Sequence, residues 1–194
     1  EVEQGPLTEV GEVSINGNAA FSSDELLAQL PDLKGTSYSR AKFRNSVRKL
    51  AEFYSKEGYY NARISYAITE PPADPKAEKQ LMKLEFKVEN EDRKVVINRI
   101  LVAGNEDTKQ SAILKASPLR PGEFLRSGDV YSTEQNLYAT DAFDRVEVKP
   151  VSAGNTPNGD RLSDVIINVN EQPPRLITYG GGFSTDLGVN GFFD

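Results

Sequence analysis

The side chains that most often carry catalysis are missing from this chain. Its 194 residues include no His and no Cys. The commonest general base, the commonest zinc ligand and the thiolate nucleophile are therefore excluded, and disulfides with them. Carboxylates, Tyr and Ser remain, but no spaced constellation of nucleophile, base and orienting group stands out. Asp24, Glu25 and Asp107 read as charge at helix N-termini, where the helix dipole favours an anion, rather than as paired catalytic acids. Gly180-Gly181-Gly182 lacks the following helix that a phosphate-binding loop requires. A net charge of −6 supplies no basic field for nucleic acid. The expectation is no enzyme, no cofactor, no metal and no nucleic-acid partner. What is left is the hydrogen-bonding chemistry of the main chain.

The elements that would present that main chain are legible as a repeat. Val13-Ser14-Ile15-Asn16-Gly17-Asn18 returns as Ile100-Leu101-Val102-Ala103-Gly104-Asn105, a shift of about 87 positions. Leu26 and Leu27 fall on Ile113 and Leu114 at the same shift, and Gly58-Tyr59-Tyr60-Asn61 is echoed by Asp141-Ala142-Phe143-Asp144. Each unit reads strand, helix, helix, strand, strand. Val13 and Ile15 alternate with polar neighbours, and Gly17-Asn18 turns the chain; Gly104-Asn105 does so in the second unit. Gly17 and Gly104 suit a positive φ or a close backbone approach.

Ser22-x-x-Glu25 is a capping box opening a helix to about Leu30. Phe43, Val47, Leu50, Ala51 and Tyr54 form one helical stripe over residues 39–57, closed by Gly58. Ile64, Tyr66 and Ile68 alternate with polar or small residues, as do Met82, Leu84, Phe86 and Val88. The second unit repeats this with helices near 108–116 and 127–140 and strands near 143–151 and 164–171. Its second helix has the poorer stripe, Val130, Leu137 and Tyr138. The loops at 70–80 and 153–160 look long. The fold class is α+β: two tandem domains, 8–94 and 95–173, each a three-stranded mixed sheet covered by two helices. Glu91-Asp92-Arg93-Lys94 reads as a solvated junction, or as one that sets the interdomain angle, and is short enough to restrict hinge motion.

No apolar run approaches the roughly 20 residues of a membrane-spanning helix, and Glu1 to Leu7 is not a signal peptide. After Pro173-Pro174 the pattern changes. Ile177, Tyr179, Gly181, Phe183, Thr185, Leu187, Val189, Gly191 and Phe193 hold one parity, largely apolar or aromatic. Thr178, Gly180, Gly182, Ser184, Asp186, Gly188 and Asn190, small or polar, hold the other. That alternation suits the first strand of a transmembrane β-barrel over 174–194.

These residues resemble a known family. Ile15-Asn-Gly-Asn, Val102-Ala-Gly-Asn, Phe53-Tyr-Ser-Lys-Glu-Gly-Tyr-Tyr-Asn-Ala and Leu137-Tyr-Ala-Thr-Asp-Ala-Phe-Asp-Arg-Val are similar to POTRA domains. Ile177-Thr-Tyr-Gly-Gly-Gly-Phe-Ser-Thr-Asp-Leu-Gly looks like the barrel entry of BamA- and TamA-type proteins. The resemblance implies the periplasmic part of an outer-membrane protein that inserts or assembles other outer-membrane proteins. Its partners would be unfolded outer-membrane clients, accessory lipoproteins, and the outer membrane through the barrel. A two-partner secretion transporter, a soluble periplasmic binding module or enzyme, and a plain spacer are the alternatives.

The resemblance also implies a second strand at the sheet edge, beside the first helix. Such an edge offers unpaired N–H and C=O groups to an extended client, the β-augmentation mode. The candidates are Ala62, Arg63, Ile64, Ser65, Tyr66, Ala67, Ile68 and Thr69 in the first unit. In the second they are Arg145, Val146, Glu147, Val148 and Lys149. On this reading, proline at Ser65 or Ala67 weakens client binding, checked by peptide crosslinking, and leaves the fold intact.

Overall fold

The computed structural model describes residues 7–70, 79–173, 179–184 and 188–193. The first unit runs β1 (Leu7–Asn16), α1 (Ser23–Ala28), α2 (Arg40–Lys56), β2 (Arg63–Thr69) and β3 (Lys79–Asn90). The second runs β4 (Val95–Ala103), α3 (Gln110–Ala116), α4 (Ser127–Tyr138), β5 (Phe143–Asn155) and β6 (Arg161–Glu171). Strand orders are β1-β3-β2 and β4-β6-β5, so the last strand of each unit is central. The first strand pairs with it in parallel, across the helical crossover, and the second pairs antiparallel.

Burial follows the pleat. Met82, Leu84, Phe86 and Val88 of β3 are buried, and meet Phe43, Leu50 and Tyr54 of α2 with Leu26 of α1. Val165, Ile167 and Val169 of β6 do the same for Ile113, Leu125 and Leu137. The α2 stripe is rotated slightly from the sequence pattern: Ser46 is buried, while Val47 and Ala51 lie half-buried at its border. In α4 the buried residues are Thr133 and Leu137, and Tyr138 stays 41% exposed. Thr133 fits the core because its hydroxyl pairs with Ser117 and with the Asp129 carbonyl.

The capping box forms as drawn: the Glu25 N–H donates to Ser22 Oγ, and the Ser22 N–H donates to Glu25 Oε2 at 2.9 Å. The Ser22 N–H, and after it the Ser22 hydroxyl, hold the Glu25 carboxyl below its ordinary range by donating to Oε2. Asp107 plays no such part, because α3 starts only at Gln110. Each first strand carries a bulge, at Val10/Glu12 and Ile97/Arg99. That bulge lets Val10 and Ile15, an odd number of positions apart, both face the core.

Three expectations change. The second strand lies beside the second helix of its unit, with α1 against β1 instead. The 153–160 loop is short, because β5 continues to Asn155 and Thr156 closes a turn on Asp160. After Pro173 two strands are found rather than one, β7 (Tyr179–Ser184) and β8 (Gly188–Phe193), paired antiparallel from Tyr179↔Phe193 to Ser184↔Gly188. Most of the 70–80 loop, together with 174–178, 185–187 and 194, lies outside the described residues. No helix among the described residues is long and apolar enough to cross a membrane.

Gly17 and Gly104 sit at φ +82 and +83, where a Cβ would collide with the carbonyls of Val88 and Val169. Gly35, at φ +74, has open space around it. In urea unfolding Gly17→Ala and Gly104→Ala are each expected to cost roughly 2–3 kcal/mol. Gly35→Ala should cost only about 1 kcal/mol, the left-handed backbone alone.

Candidate functional site

The candidate site is a sheet edge, so its geometry is a matter of which way each main-chain group points. The Val88 carbonyl lies against Gly17 at the end of β1, so the N–H and C=O of Val88 face β1. Its antiparallel partner Ile64 then directs its own groups away from the sheet. By alternation, Ile64, Tyr66 and Ile68 carry the outward N–H and C=O groups of β2, and Ser65, Ala67 and Thr69 pair with β3. Among the described residues no hydrogen bond reaches those outward groups. Ala62 precedes the strand, and its N–H is used in a turn to Tyr59 O at 3.1 Å. Proline at Ser65 or Ala67 would therefore break the ladder inside the sheet, contrary to the sequence expectation.

The other outer edges are occupied in part: β1 and β4 along their first halves, and β5 at Val146 and Val148. On β1, Val10 N–H donates to Thr36 O at 2.9 Å and Tyr38 N–H to Thr8 O at 3.1 Å. On β4, Ile97 N–H donates to Glu123 O at 2.9 Å and Leu125 N–H to Val95 O at 2.8 Å. On β5, Val146 N–H donates to Tyr138 Oη at 3.0 Å, and Val148 N–H donates to Glu134 Oε1 at 3.0 Å. The candidate segment Arg145, Val146, Glu147, Val148 and Lys149 thus forms an edge strand as expected, with its outward N–H groups already engaged. Burial agrees with this difference: Val146 and Val148 are buried, whereas Ile64, Tyr66 and Ile68 are only half-buried.

Two carboxylates at the ends of the central strands hold the turns after β1 and β4. Glu91 accepts from Ala19 N and Ala20 N, each at 2.9 Å, and from the Tyr54 hydroxyl at 2.6 Å. Burial and the Glu91 carboxylate push the Tyr54 phenol well above its ordinary value. Glu171 accepts from Asp107 N and Thr108 N, each at 2.8 Å. Asn18 and Asn105 complete the turns by donating to Phe21 O and Thr108 O. Glu91 and Glu171 play the same part in the two repeats, a role set by the turn amides they meet rather than by any local sequence signal.

The junction Glu91–Lys94 is far from merely solvated. Val95 N–H donates to Gly58 O at 2.9 Å, and Arg161 pairs with Asp92 at 2.9 Å. Arg93 donates to Gly159 O, and Ser127 N–H to Ser55 Oγ at 2.7 Å. Phe124 packs so close that a Cβ on Gly58 would lie 2.9 Å from its Cγ. Lys94 Nζ rests 4.9 Å from the centre of the Phe124 ring.

Two β-α-α-β-β units, joined end to end and presenting sheet edges, define a tandem α+β repeat module. The family model described as POTRA, "Surface antigen variable number repeat", matches residues 8–91 and 95–172, and the chain belongs to this family. It is 29% identical over 94% of its length to a putative outer membrane protein assembly factor of Treponema pallidum. It is 24% identical over 98% of its length to the outer membrane protein assembly factor BamA of Nitratidesulfovibrio vulgaris. The chain spans 21% and 24% of those relatives. A crystal structure of Haemophilus ducreyi BamA lacking POTRA domains 1–3 has the same fold. It superposes with a TM-score of 0.68 at 20% identity, covering 93% of this chain and 32% of that one.

The Glu171 carboxyl lies below its ordinary range, chiefly because the Asp107 N–H and then Thr108 donate to it. Its contribution to stability is fully present above the unfolded value of about 4.3. That contribution is lost as pH falls through the lower, folded value. Glu171→Gln should therefore lower stability at pH 7 and flatten the acid limb of the stability curve, measured by urea midpoints between pH 7 and pH 3.

Proposed function

We propose that the two repeats are the periplasmic arm of an outer-membrane β-barrel protein that assembles other outer-membrane proteins. In this reading the first repeat receives extended client segments by strand addition to β2. The observation that carries it is the outward edge of Ile64, Tyr66 and Ile68, whose main-chain groups no hydrogen bond reaches among the described residues, beside a β1 whose first half is covered. Main-chain pairing reads an extended conformation rather than a sequence, which suits clients that share only their alternation. The names of the similar proteins support the assembly role. The close-packed junction supports an arm that holds β2 at a fixed bearing to the second repeat. Residues 174–194 begin a transmembrane barrel in this reading, with β7 and β8 as its entry. Accessory lipoproteins belong to the same proposal.

Proline at an outward position removes a donor from the open edge and spares the ladder to β3. Ile64→Pro and Ile68→Pro should each weaken binding of a labelled synthetic peptide of alternating Val, Tyr and Thr by about tenfold. Fluorescence anisotropy on the 194-residue chain measures this, with far-UV circular dichroism to check the fold. Undiminished affinity in folded variants would remove β2 as the docking edge. In the full-length protein, Ile68→Pro should leave outer-membrane barrels unassembled in cells that lack the wild type.

A further inference from the structure

The two repeats share one topology, yet they treat their second strands differently. On β5 the outward main-chain groups belong to Val146, Val148 and Pro150. Val146 N–H donates to Tyr138 Oη at 3.0 Å, and the Tyr138 hydroxyl donates back to the Val146 carbonyl at 3.2 Å. Val148 N–H donates to the Glu134 carboxylate at 3.0 Å. Pro150 has no N–H to offer. From Val146 to Pro150, every outward donor is spent or absent. Tyr138 and Glu134 stand four residues apart on α4 and so share a face. Together they imitate part of a neighbouring strand.

The first repeat has no such pair. The Gly58 N–H closes on Ser55 O as the Asp141 N–H closes on Tyr138 O, both at left-handed residues, which aligns Ser55 with Tyr138 and Ala51 with Glu134. Ala51 has no side-chain acceptor. Ser55 Oγ is used across the junction, accepting from Ser127 N at 2.7 Å. The same helix face that fills one edge leaves the other bare.

We infer that Tyr138 and Glu134 latch the outer edge of β5, so that an extended polypeptide enters at β2 and enters at β5 only when the latch is withdrawn. The inference rests on the strand-addition reading of β2. It makes the second repeat a reserve acceptor, closed from within rather than unfit for pairing. Release needs no unfolding of α4, because Tyr138 is 41% exposed while Leu137 at 1% and Thr133 at 0% hold the helix on the sheet. A client strand would bring its own N–H and C=O to replace both side chains at once.

Two readouts on the 194-residue chain test the latch. The first is amide hydrogen exchange in the double variant Glu134→Ala/Tyr138→Ala. Val146 and Val148 should exchange about tenfold faster, whereas Glu147 and Lys149, which pair with β6, keep their protection. The second places a photo-crosslinking side chain at Ala67 or at Lys149, with the alternating Val/Tyr/Thr peptide as probe. Wild type should capture the peptide at position 67 and not at 149, and the double variant should gain capture at 149 by about tenfold.

The latch is overturned if wild type crosslinks equally at both positions. It is also overturned if the variant frees both amides and still captures nothing at 149. Capture at 149 in the variant with none at 67 in wild type would sink the β2 reading and leave the latch standing. Glu134→Leu/Tyr138→Phe removes both hydrogen-bonding groups, nearly keeps the packing volume and serves with the same readouts should the alanine pair fail to fold.

Discussion

A three-stranded sheet has two outer edges, and every main-chain group on them must find a partner in protein or in water. The architecture follows from how that demand is met. Residues 35–38 run along the first half of β1, and residues 122–125 do the same for β4. Side chains from α4 cover β5. Among the described residues no hydrogen bond reaches the outward groups of β2, which costs the fold little because water can bond them. It costs specificity instead, since a bare edge invites any extended chain. β2 thus differs from β5, its counterpart in the second repeat, whose outward donors are engaged.

The central strands carry the second constraint. β3 and β6 are each paired on both sides, and each ends in a carboxylate that collects amides from the turn after the first strand. The Gly17 and Gly104 turns bring those amides within reach by passing directly over the Val88 and Val169 carbonyls. Through Tyr54 the Glu91 staple also reaches α2, whose C-terminal turn meets Phe124 and Ser127 of the next repeat. The orientation of β2 is thus tied to the second repeat by packing as well as by the short connection.

Much of this organisation was legible in the sequence, because periodicity and turn chemistry report local geometry. The Gly-Asn turns, the Ser22/Glu25 capping box and the alternation of Met82 to Val88 each belong to a few neighbouring residues. The long 153–160 loop was misread because Gly154 and Asn155 carry a turn signature while lying at a bulged strand end. The sequence leaves the junction open between a solvated joint and one that sets the interdomain angle, because charged residues usually mark solvent and only the fold brings Arg161 to Asp92. The difference between β2 and β5 was invisible for a deeper reason. Tyr138 looks like a stripe residue of α4, and nothing local tells that its hydroxyl meets Val146. Direction of main-chain groups is likewise a property of register, so Ser65 and Ala67 could not be separated from Ile64 and Tyr66 by alternation alone.

The central claim is that an extended polypeptide pairs with the main chain of β2. Isotope-edited nuclear Overhauser measurements on the labelled chain, with the unlabelled alternating Val/Tyr/Thr peptide bound, address it most directly. The account predicts backbone-to-backbone contacts from the peptide to Ile64, Tyr66 and Ile68, in one continuous strand register. Peptide contacts confined to side chains on the helices, or running along β1, would contradict it.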